Sequence, residues 1–210
     1  MNKFIQQDLT PDIVKTDNPR IGLIALSTDF TIEQDFRNIC HHNPVDIFVN
    51  RIPFENPLNH KNYLKMADHI SEVSSQILPS EDIDIVAYGC TSGTIAIGAD
   101  RIKEEVNKAK PKAKVTTPIT AAMKAFNHLG LKKIAVLTPY PKDVNATVYN
   151  YLIDNNINVE SFSSFNLEYD SEIAQVSLAS LEKEISKIDL SNVDGLFVSC
   201  TALKIVDVLD

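Results

Sequence analysis

Short apolar runs that favour β-strands alternate along this chain with longer segments of helical periodicity, and this alternation limits the possible folds most. Such alternation predicts parallel sheets covered by helices on both faces. The predicted strands are Ile21–Leu26, Val45–Arg51, Ile83–Tyr88, Lys133–Thr138, Val159–Phe165 and Gly195–Ser199, with Val115–Pro118 as a short strand or connector. The predicted helices are Thr31–Cys40, Tyr63–Leu78, Thr94–Lys108, Ile119–Leu129, Val144–Asn155 and Ala174–Lys187.

The chain also contains a weak internal repeat that ends in a Cys-Thr pair. Cys90 lies 63 positions after Ser27, and Cys200 lies 62 positions after Thr138, where Ser27 and Thr138 each end a buried strand. Each cysteine follows a further buried strand that is introduced by aspartate. The period is too long for a solenoid, so the repeat predicts two duplicated α/β lobes. We expect residues 1–117 to form an N-terminal lobe carrying Cys90, and residues 118–210 a second lobe carrying Cys200.

Composition narrows the class of protein. The chain has 210 residues and a formal net charge of −8, without a basic run, which argues against a nucleic-acid surface. Three cysteines without short spacing predict neither a disulfide framework nor a zinc site. The first 20 residues lack the apolar core of a signal peptide, and no run approaches a membrane span. These features predict a cytoplasmic protein with no membrane partner.

The polar ends of four predicted strands should carry the chemistry, because ligands in open α/β sheets bind beyond the carboxyl ends of the strands. These ends are Ser27–Thr31, Gly89–Thr94, Thr138–Tyr140 and Ser199–Thr201. The helix that follows Ser92 offers free N–H groups, which predicts a cradle for a carboxylate and favours a thiolate at Cys90.

A single cysteine at a strand end is more often a small core residue. Two cysteines in equivalent positions of a repeat, Cys90 and Cys200, favour a shared active site. Cys40 has no such counterpart and is interpreted as structural. Asp29 fits a helix cap and a ligand contact equally well, and the two roles are compatible.

Three segments carry a family resemblance: Ile21–Glu33, Ala87–Thr94 and Leu137–Asn145. The chain resembles the aspartate/glutamate racemase superfamily in its maleate isomerase and arylmalonate decarboxylase branch, and most of all the ectoine (hydroxyectoine) utilisation protein A group. The resemblance implies two Rossmann-like lobes with parallel sheets, related by a pseudo-two-fold axis, and an active site in the cleft between them. It also implies a homodimer and an enzyme that needs no cofactor and no metal.

The resemblance gives roles to individual residues. In racemases of this type one thiolate removes the α-proton and the opposite thiol returns one, which implies Cys90 and Cys200 as the catalytic pair. Maleate isomerases use the first cysteine as a nucleophile, and decarboxylases keep only the second as a proton donor, so the presence of both makes a decarboxylase the less favoured reading. The implied substrate-binding residues are Asp29, Thr91, Ser92, Tyr140, Asn145 and Thr201.

Two departures from the family pattern matter. The isomerases carry asparagine where this chain has Asp29, and an ionised carboxylate can only accept hydrogen bonds. We therefore expect Asp29 to meet an amine, an amidine or a hydroxyl group, which favours an amino acid or an ectoine-derived substrate over maleate. Only residues 202–210 follow the Cys200-Thr201 pair, so the return segment that the family carries there is expected to be missing.

The sequence therefore predicts a cofactor-independent racemase or isomerase of a small carboxylate. One alternative is a maleate isomerase-like enzyme with Cys90 as nucleophile. Another is a two-lobed ligand-binding protein without turnover. A redox role through a Cys90–Cys200 disulfide is less favoured, because thiols that flank a ligand should lie too far apart.

Overall fold

A computed structural model describes residues 4–208 and contains two separate parallel β-sheets. The first sheet has the order β2-β1-β3-β4, and the second has the order β6-β5-β7. Each sheet thus places the first strand of its own lobe between the second and the third, as a duplication predicts. The strands are β1 (Arg20–Leu26), β2 (Asp46–Ile52), β3 (Ile85–Tyr88), β4 (Lys114–Thr116), β5 (Lys133–Thr138), β6 (Asn158–Ser164) and β7 (Gly195–Val198).

The central strands β1 and β5 are apolar on both faces, which is why they lie inside their sheets. Leu23, Ile24 and Ala25 of β1 are fully buried, as are Ile134 and Ala135 of β5. A strand that is buried on both sides is a continuous apolar run in the sequence, because helices cover both faces of its sheet. The predicted α/β fold with two parallel sheets is confirmed.

The helices follow the predicted positions except for the short helix at Asp170–Ile173, which was not predicted, and several bounds differ. The segment predicted as one helix over Thr94–Lys108 is two helices, because Gly98 between them has a positive φ of 94°. The side chain of Ser177 caps a helix that begins only at Leu178. The helical region predicted from Tyr63 begins three residues earlier, after the cap Asn59, and is split by a 3-10 turn at residues 66–69. The helices are α1 (Ile32–Cys40), α2 (His60–Lys65), α3 (Ile70–Ser75), α4 (Thr91–Ile97), α5 (Ala99–Ala109), α6 (Pro118–Leu129), α7 (Lys142–Asp154), α8 (Asp170–Ile173) and α9 (Leu178–Ile185).

The aspartate that introduces the third strand has the same function in both sheets. Asp84, just before β3, accepts a hydrogen bond of 2.7 Å from the backbone N–H of Arg20. Asp194, just before β7, accepts bonds of 2.8 and 2.9 Å from the N–H groups of Lys132 and Lys133. Each carboxylate therefore joins the start of the third strand to the start of the central strand.

The two sheets are joined by helices and by hydrogen bonds at their facing ends. Helix α4 packs against α6 and α7. The hydroxyl of Thr31 donates to the carbonyl of Thr201 at 2.6 Å, and the N–H of Leu58 donates to the carbonyl of Glu168 at 2.8 Å. The division at residues 117 and 118 stays a prediction. Among residues 4–208, no helix is both long enough and apolar enough to cross a lipid bilayer.

Candidate active site

The carboxyl ends of the central and third strands of both sheets converge on one small cavity. It encloses about 10 Å³, which is room for about one water, so a small carboxylate can bind there only if the lining side chains move apart. Its walls include residues that follow strands of both sheets, and all of the predicted site residues except Asn145 line it. The lining residues are Leu26, Asp29, Leu58, Tyr63, Cys90, Thr91, Ser92, Tyr140, Asp170, Cys200, Thr201 and Ala202.

Cys90 lies between the end of β3 and the start of α4 and is 5% exposed. It is the N-cap residue of α4, and its Sγ accepts a hydrogen bond from the N–H of Gly93 at 3.2 Å. Gly93 is required here, because a Cβ at this position would lie 2.8 Å from the Cys90 sulfur. The start of α4 therefore fixes the thiol against the cavity.

Cys200 has a different backbone environment. It follows β7 with a φ of 122°, a conformation that a residue with a side chain rarely adopts. Its Sγ accepts a hydrogen bond of 3.4 Å from the N–H of Ala202. Such backbone strain costs about 1–3 kcal/mol and is concentrated at functional sites, so it supports a functional role for Cys200.

The ionisation of the two thiols differs from the sequence-based expectation. We expected the helix start to favour a thiolate at Cys90, but burial raises the pKa of this thiol to about 12, and the N–H of Gly93 lowers it only in part. Burial also raises the pKa of Cys200, and the negative charge of Asp170 raises both. The expectation of a Cys90 thiolate is therefore wrong for this arrangement, because desolvation outweighs the helix N–H groups.

Hydroxyl groups supply most of the hydrogen-bond donors around the thiols. Thr91 and Ser92 are buried in the first turn of α4, and the Ser92 hydroxyl lies 3.9 Å from the Cys90 sulfur. The Tyr140 hydroxyl lies 3.4 Å from that of Ser199, and burial raises the pKa of Tyr140 well above its usual value. Tyr140 is therefore a neutral donor, which suits the binding of a carboxylate.

Asp29 acts as a helix cap, one of its two predicted roles. Its Oδ1 accepts hydrogen bonds from the N–H groups of Thr31 and Ile32 at 2.8 and 2.9 Å. Its Oδ2 accepts a bond of 3.3 Å from the hydroxyl of Thr201, which also donates to the carbonyl of Gly89 at 3.2 Å. Thr201 therefore links the second lobe to the first. Contact of Asp29 or Thr201 with a ligand stays a prediction.

Asn145 is the one predicted site residue that the structure does not bring to the cavity. Its Oδ1 accepts from the hydroxyl of Thr138 at 2.5 Å, and its Nδ2 donates to the carbonyl of Tyr140 at 2.7 Å. The side chain thus holds the turn between β5 and α7 on which Tyr140 lies. This placement indicates a positioning role for Asn145.

Two polar residues of the cavity were missed by the sequence analysis. Tyr63 on α2 is 2% exposed and stacks on Phe54, with ring centroids 5.3 Å apart. Asp170 begins α8 and is 4% exposed. Neither follows a strand directly and neither belongs to the repeat, so no signal in the sequence connects them to the cysteines. Among residues 4–208, no group of three His, Cys, Asp or Glu side chains is arranged to hold a metal ion.

An apolar groove of about 300 Å³ adjoins the cavity and lies beside α1 and the segment after Cys200. The groove shares Thr91, Cys200 and Thr201 with the cavity. Its other walls include the apolar side chains of Phe36, Phe197 and other residues. The groove is thus more apolar than the cavity, although Asp35, Thr116 and Thr117 also line it.

Comparison with known proteins gives a consistent result. A family model described as arylmalonate decarboxylase matches residues 56–210. The maleate isomerase of Geobacillus stearothermophilus is 25% identical over 192 residues, covering 86% of this chain and 76% of that protein. The structure of the maleate isomerase Iso from Pseudomonas putida S16 superposes with a TM-score of 0.79 at 19% identity, over 89% of this chain and 80% of the other.

A mutant of the Nocardia farcinica maleate cis-trans isomerase with a covalently bound succinylcysteine intermediate also has the same fold. Its TM-score is 0.79 at 17% identity, over 88% of this chain and 79% of the other. At these identities the structural likenesses establish the fold alone.

Proposed function

Because the chain belongs to the arylmalonate decarboxylase family, we propose that it is a cofactor-independent racemase or isomerase of a small carboxylate that uses Cys90 and Cys200. One observation carries this proposal: the two cysteines, which come from different lobes, line one cavity together with neutral hydroxyl donors. The isomerases among the relatives support the class of reaction.

In the proposed racemisation, one cysteine acts as a thiolate and takes the α-proton of the substrate. The electron pair of the broken C–H bond moves into the carboxylate and forms an enolate. The thiol of the other cysteine then donates its proton to the opposite face of the α-carbon. In this scheme the hydroxyl groups of Thr91, Ser92 and Tyr140, which line the cavity, donate hydrogen bonds to the enolate.

We propose an amino acid or an ectoine-derived compound as substrate. The support is the acidic lining of the cavity, to which Asp29 and Asp170 contribute, together with the resemblance of Ile21–Glu33 and Ala87–Thr94 to the ectoine-utilisation group. A homodimer and a location in the cytoplasm are proposed on the resemblance and on the composition.

A second candidate is a cis-trans isomerase in which Cys90 is the nucleophile. The Nocardia farcinica structure with a succinylcysteine supports it, since a covalent adduct forms on a cysteine of that protein. In this scheme the Cys90 sulfur bonds to one alkene carbon, and Cys200 protonates the other. Rotation about the resulting single bond precedes loss of the sulfur and of the proton.

Solvent deuterium exchange tests the proposal. With aspartate, ectoine-derived amino acids and maleate as substrates in D₂O, the racemase predicts deuterium at the α-carbon, and Cys200→Ala should abolish racemisation. An intact-mass shift located at Cys90 would favour the nucleophilic isomerase instead. Thiols that are inert to alkylation and unprotected by any of these compounds would contradict both enzymes and favour a binding protein without turnover.

A further inference from the structure

Asp170 is a buried carboxylate of the cavity with one oxygen unsatisfied. Its Oδ2 accepts a short hydrogen bond from the hydroxyl of Thr28 in the first lobe, and its backbone N–H donates to Asn56 at 3.4 Å. Within residues 4–208, its Oδ1 accepts no hydrogen bond, although the residue is only 4% exposed. Oδ1 is not among the fully buried oxygens that lack a partner, so it is open to the cavity, where an ionised oxygen without a protein donor is available to a donor of a bound ligand.

The cavity contains no positive side chain in the described part of the chain. Its titratable groups are Asp29, Tyr63, Cys90, Tyr140, Asp170 and Cys200. Burial raises the pKa of Asp170 to about 6, with a further contribution from the negative charge of Asp29. Asp170 is therefore mainly ionised at neutral pH, and a second carboxylate of a dicarboxylic substrate would be repelled there.

The two carboxylates are not equivalent as ligand contacts. Both oxygens of Asp29 already accept hydrogen bonds, from Thr31, Ile32 and Thr201. Asp170 has an oxygen, Oδ1, that accepts no hydrogen bond within residues 4–208. The charge that attracts a cation thus comes from both residues, but the direct contact falls to Asp170.

We propose that Oδ1 of Asp170 binds a positively charged group of the substrate, an ammonium or an amidinium, and so selects small carboxylates that carry such a group over plain dicarboxylates. This inference rests on the proposed function. It has a consequence for the thiols, since Asp170 raises the pKa of both cysteines. A cation beside Asp170 offsets that charge, so the correct substrate promotes formation of the thiolate that removes its proton.

The first test needs no knowledge of the natural substrate. The two probes are 2-aminoethyl and 2-sulfonatoethyl methanethiosulfonate, which differ in charge, and the readout is the ratio of their rates of reaction with the cavity thiols. We expect the wild-type protein to favour the cationic reagent, and Asp170→Asn to reduce the ratio about tenfold, as the loss of a charge-assisted contact implies. Asp154→Asn is the control, because Asp154 is an exposed residue at the end of α7 that lines neither the cavity nor the adjoining groove.

The second test compares aspartate with succinate, which lacks only the ammonium group, by calorimetric titration. Wild type should bind aspartate about tenfold or more tightly than succinate, and Asp170→Asn should bind both alike. An unchanged preference in Asp170→Asn, for both the reagents and the ligands, overturns the inference and leaves the proposed function standing. If wild type binds neither compound and its thiols are inert, the proposed function fails, and the inference fails with it. Because Asn retains an acceptor for Thr28, the variant should fold, and the thiol reagents report on it without turnover.

Discussion

Gly93 controls the position of the Cys90 thiol, and replacing it by alanine should displace that thiol. The new Cβ would lie 2.8 Å from the Cys90 sulfur and 2.7 Å from Cε of Met66. Met66 ends in a flexible methyl group that can move away. The sulfur must also move, because an ordinary contact begins at 3.4 Å, and the required shift is therefore about 0.6 Å.

The shift should affect catalysis more than stability. A misplacement of about 1 Å at a reacting group can cost about a hundredfold in rate, so about 0.6 Å should cost roughly tenfold or more in kcat/KM. Crowding of a packed interior by one methyl group costs about 1–3 kcal/mol of unfolding free energy. For a chain of this length the melting temperature should then fall by about 2–4 °C per kcal/mol.

The assay measures solvent deuterium exchange and the rate of alkylation at Cys90, with thermal unfolding in parallel. Gly22→Ala is the matched control, because its Cβ would meet only Ile77 and Ile83, at the ordinary distance of 3.4 Å. We expect the control to keep wild-type exchange and alkylation. If Gly93→Ala matches Gly22→Ala in both measurements, the packing of α4 does not fix the thiol, and the reasoning is refuted.

Two further predictions concern the polar residues around the cavity. Thr201→Val removes the hydroxyl that bonds to Asp29 and Gly89, so it should lower the free energy of unfolding in urea by about 1–3 kcal/mol. The control Thr147→Val, whose hydroxyl bonds only within α7, should lower it by less. Equal effects of the two variants would show that the Thr201 contact adds nothing to stability. The pKa of Asp170 is raised from 3.8 to about 6, so its contribution to stability is complete below pH 3.8 and is lost as the pH rises through 6. In urea unfolding, the free energy of unfolding of Asp170→Asn should therefore rise relative to that of wild type by up to about 3 kcal/mol between pH 4 and pH 7. A difference in unfolding free energy between the two proteins that does not vary with pH would contradict the raised pKa.

The fold could be predicted from the sequence because its signal is local. Apolar runs such as β1 and β5 and the helical periods between them predict a parallel sheet without knowledge of long-range contacts. The two aspartates before β3 and β7 marked equivalent strands, and the structure shows why both are needed. The helix bounds were less accurate, since the break at Gly98 depends on a backbone conformation that periodicity does not encode.

The site could be predicted only where it follows the strands. Cys90, Tyr140 and Cys200 end or follow strands, and the structure brings them to one cavity. Asp170 lies after a loop that follows β6, and its approach to the cysteines depends on how the two lobes pack. Asn145 is near the site in sequence, but its amide is used to hold Thr138 and the carbonyl of Tyr140.

The repeat made the two cysteines equivalent in position, yet their surroundings differ. Cys90 has an extended backbone and caps a helix, and the N–H of Gly93 in its first turn donates to the sulfur at 3.2 Å. Cys200 has a φ of 122° and is followed by a turn, with one N–H at 3.4 Å. A helix start stabilises a thiolate more than a single turn N–H does, because several N–H dipoles add there. Burial keeps both thiols protonated in the arrangement seen here, but the asymmetry makes Cys90 the easier of the two to ionise and Cys200 the proton donor, in the racemase scheme and in the nucleophilic scheme alike.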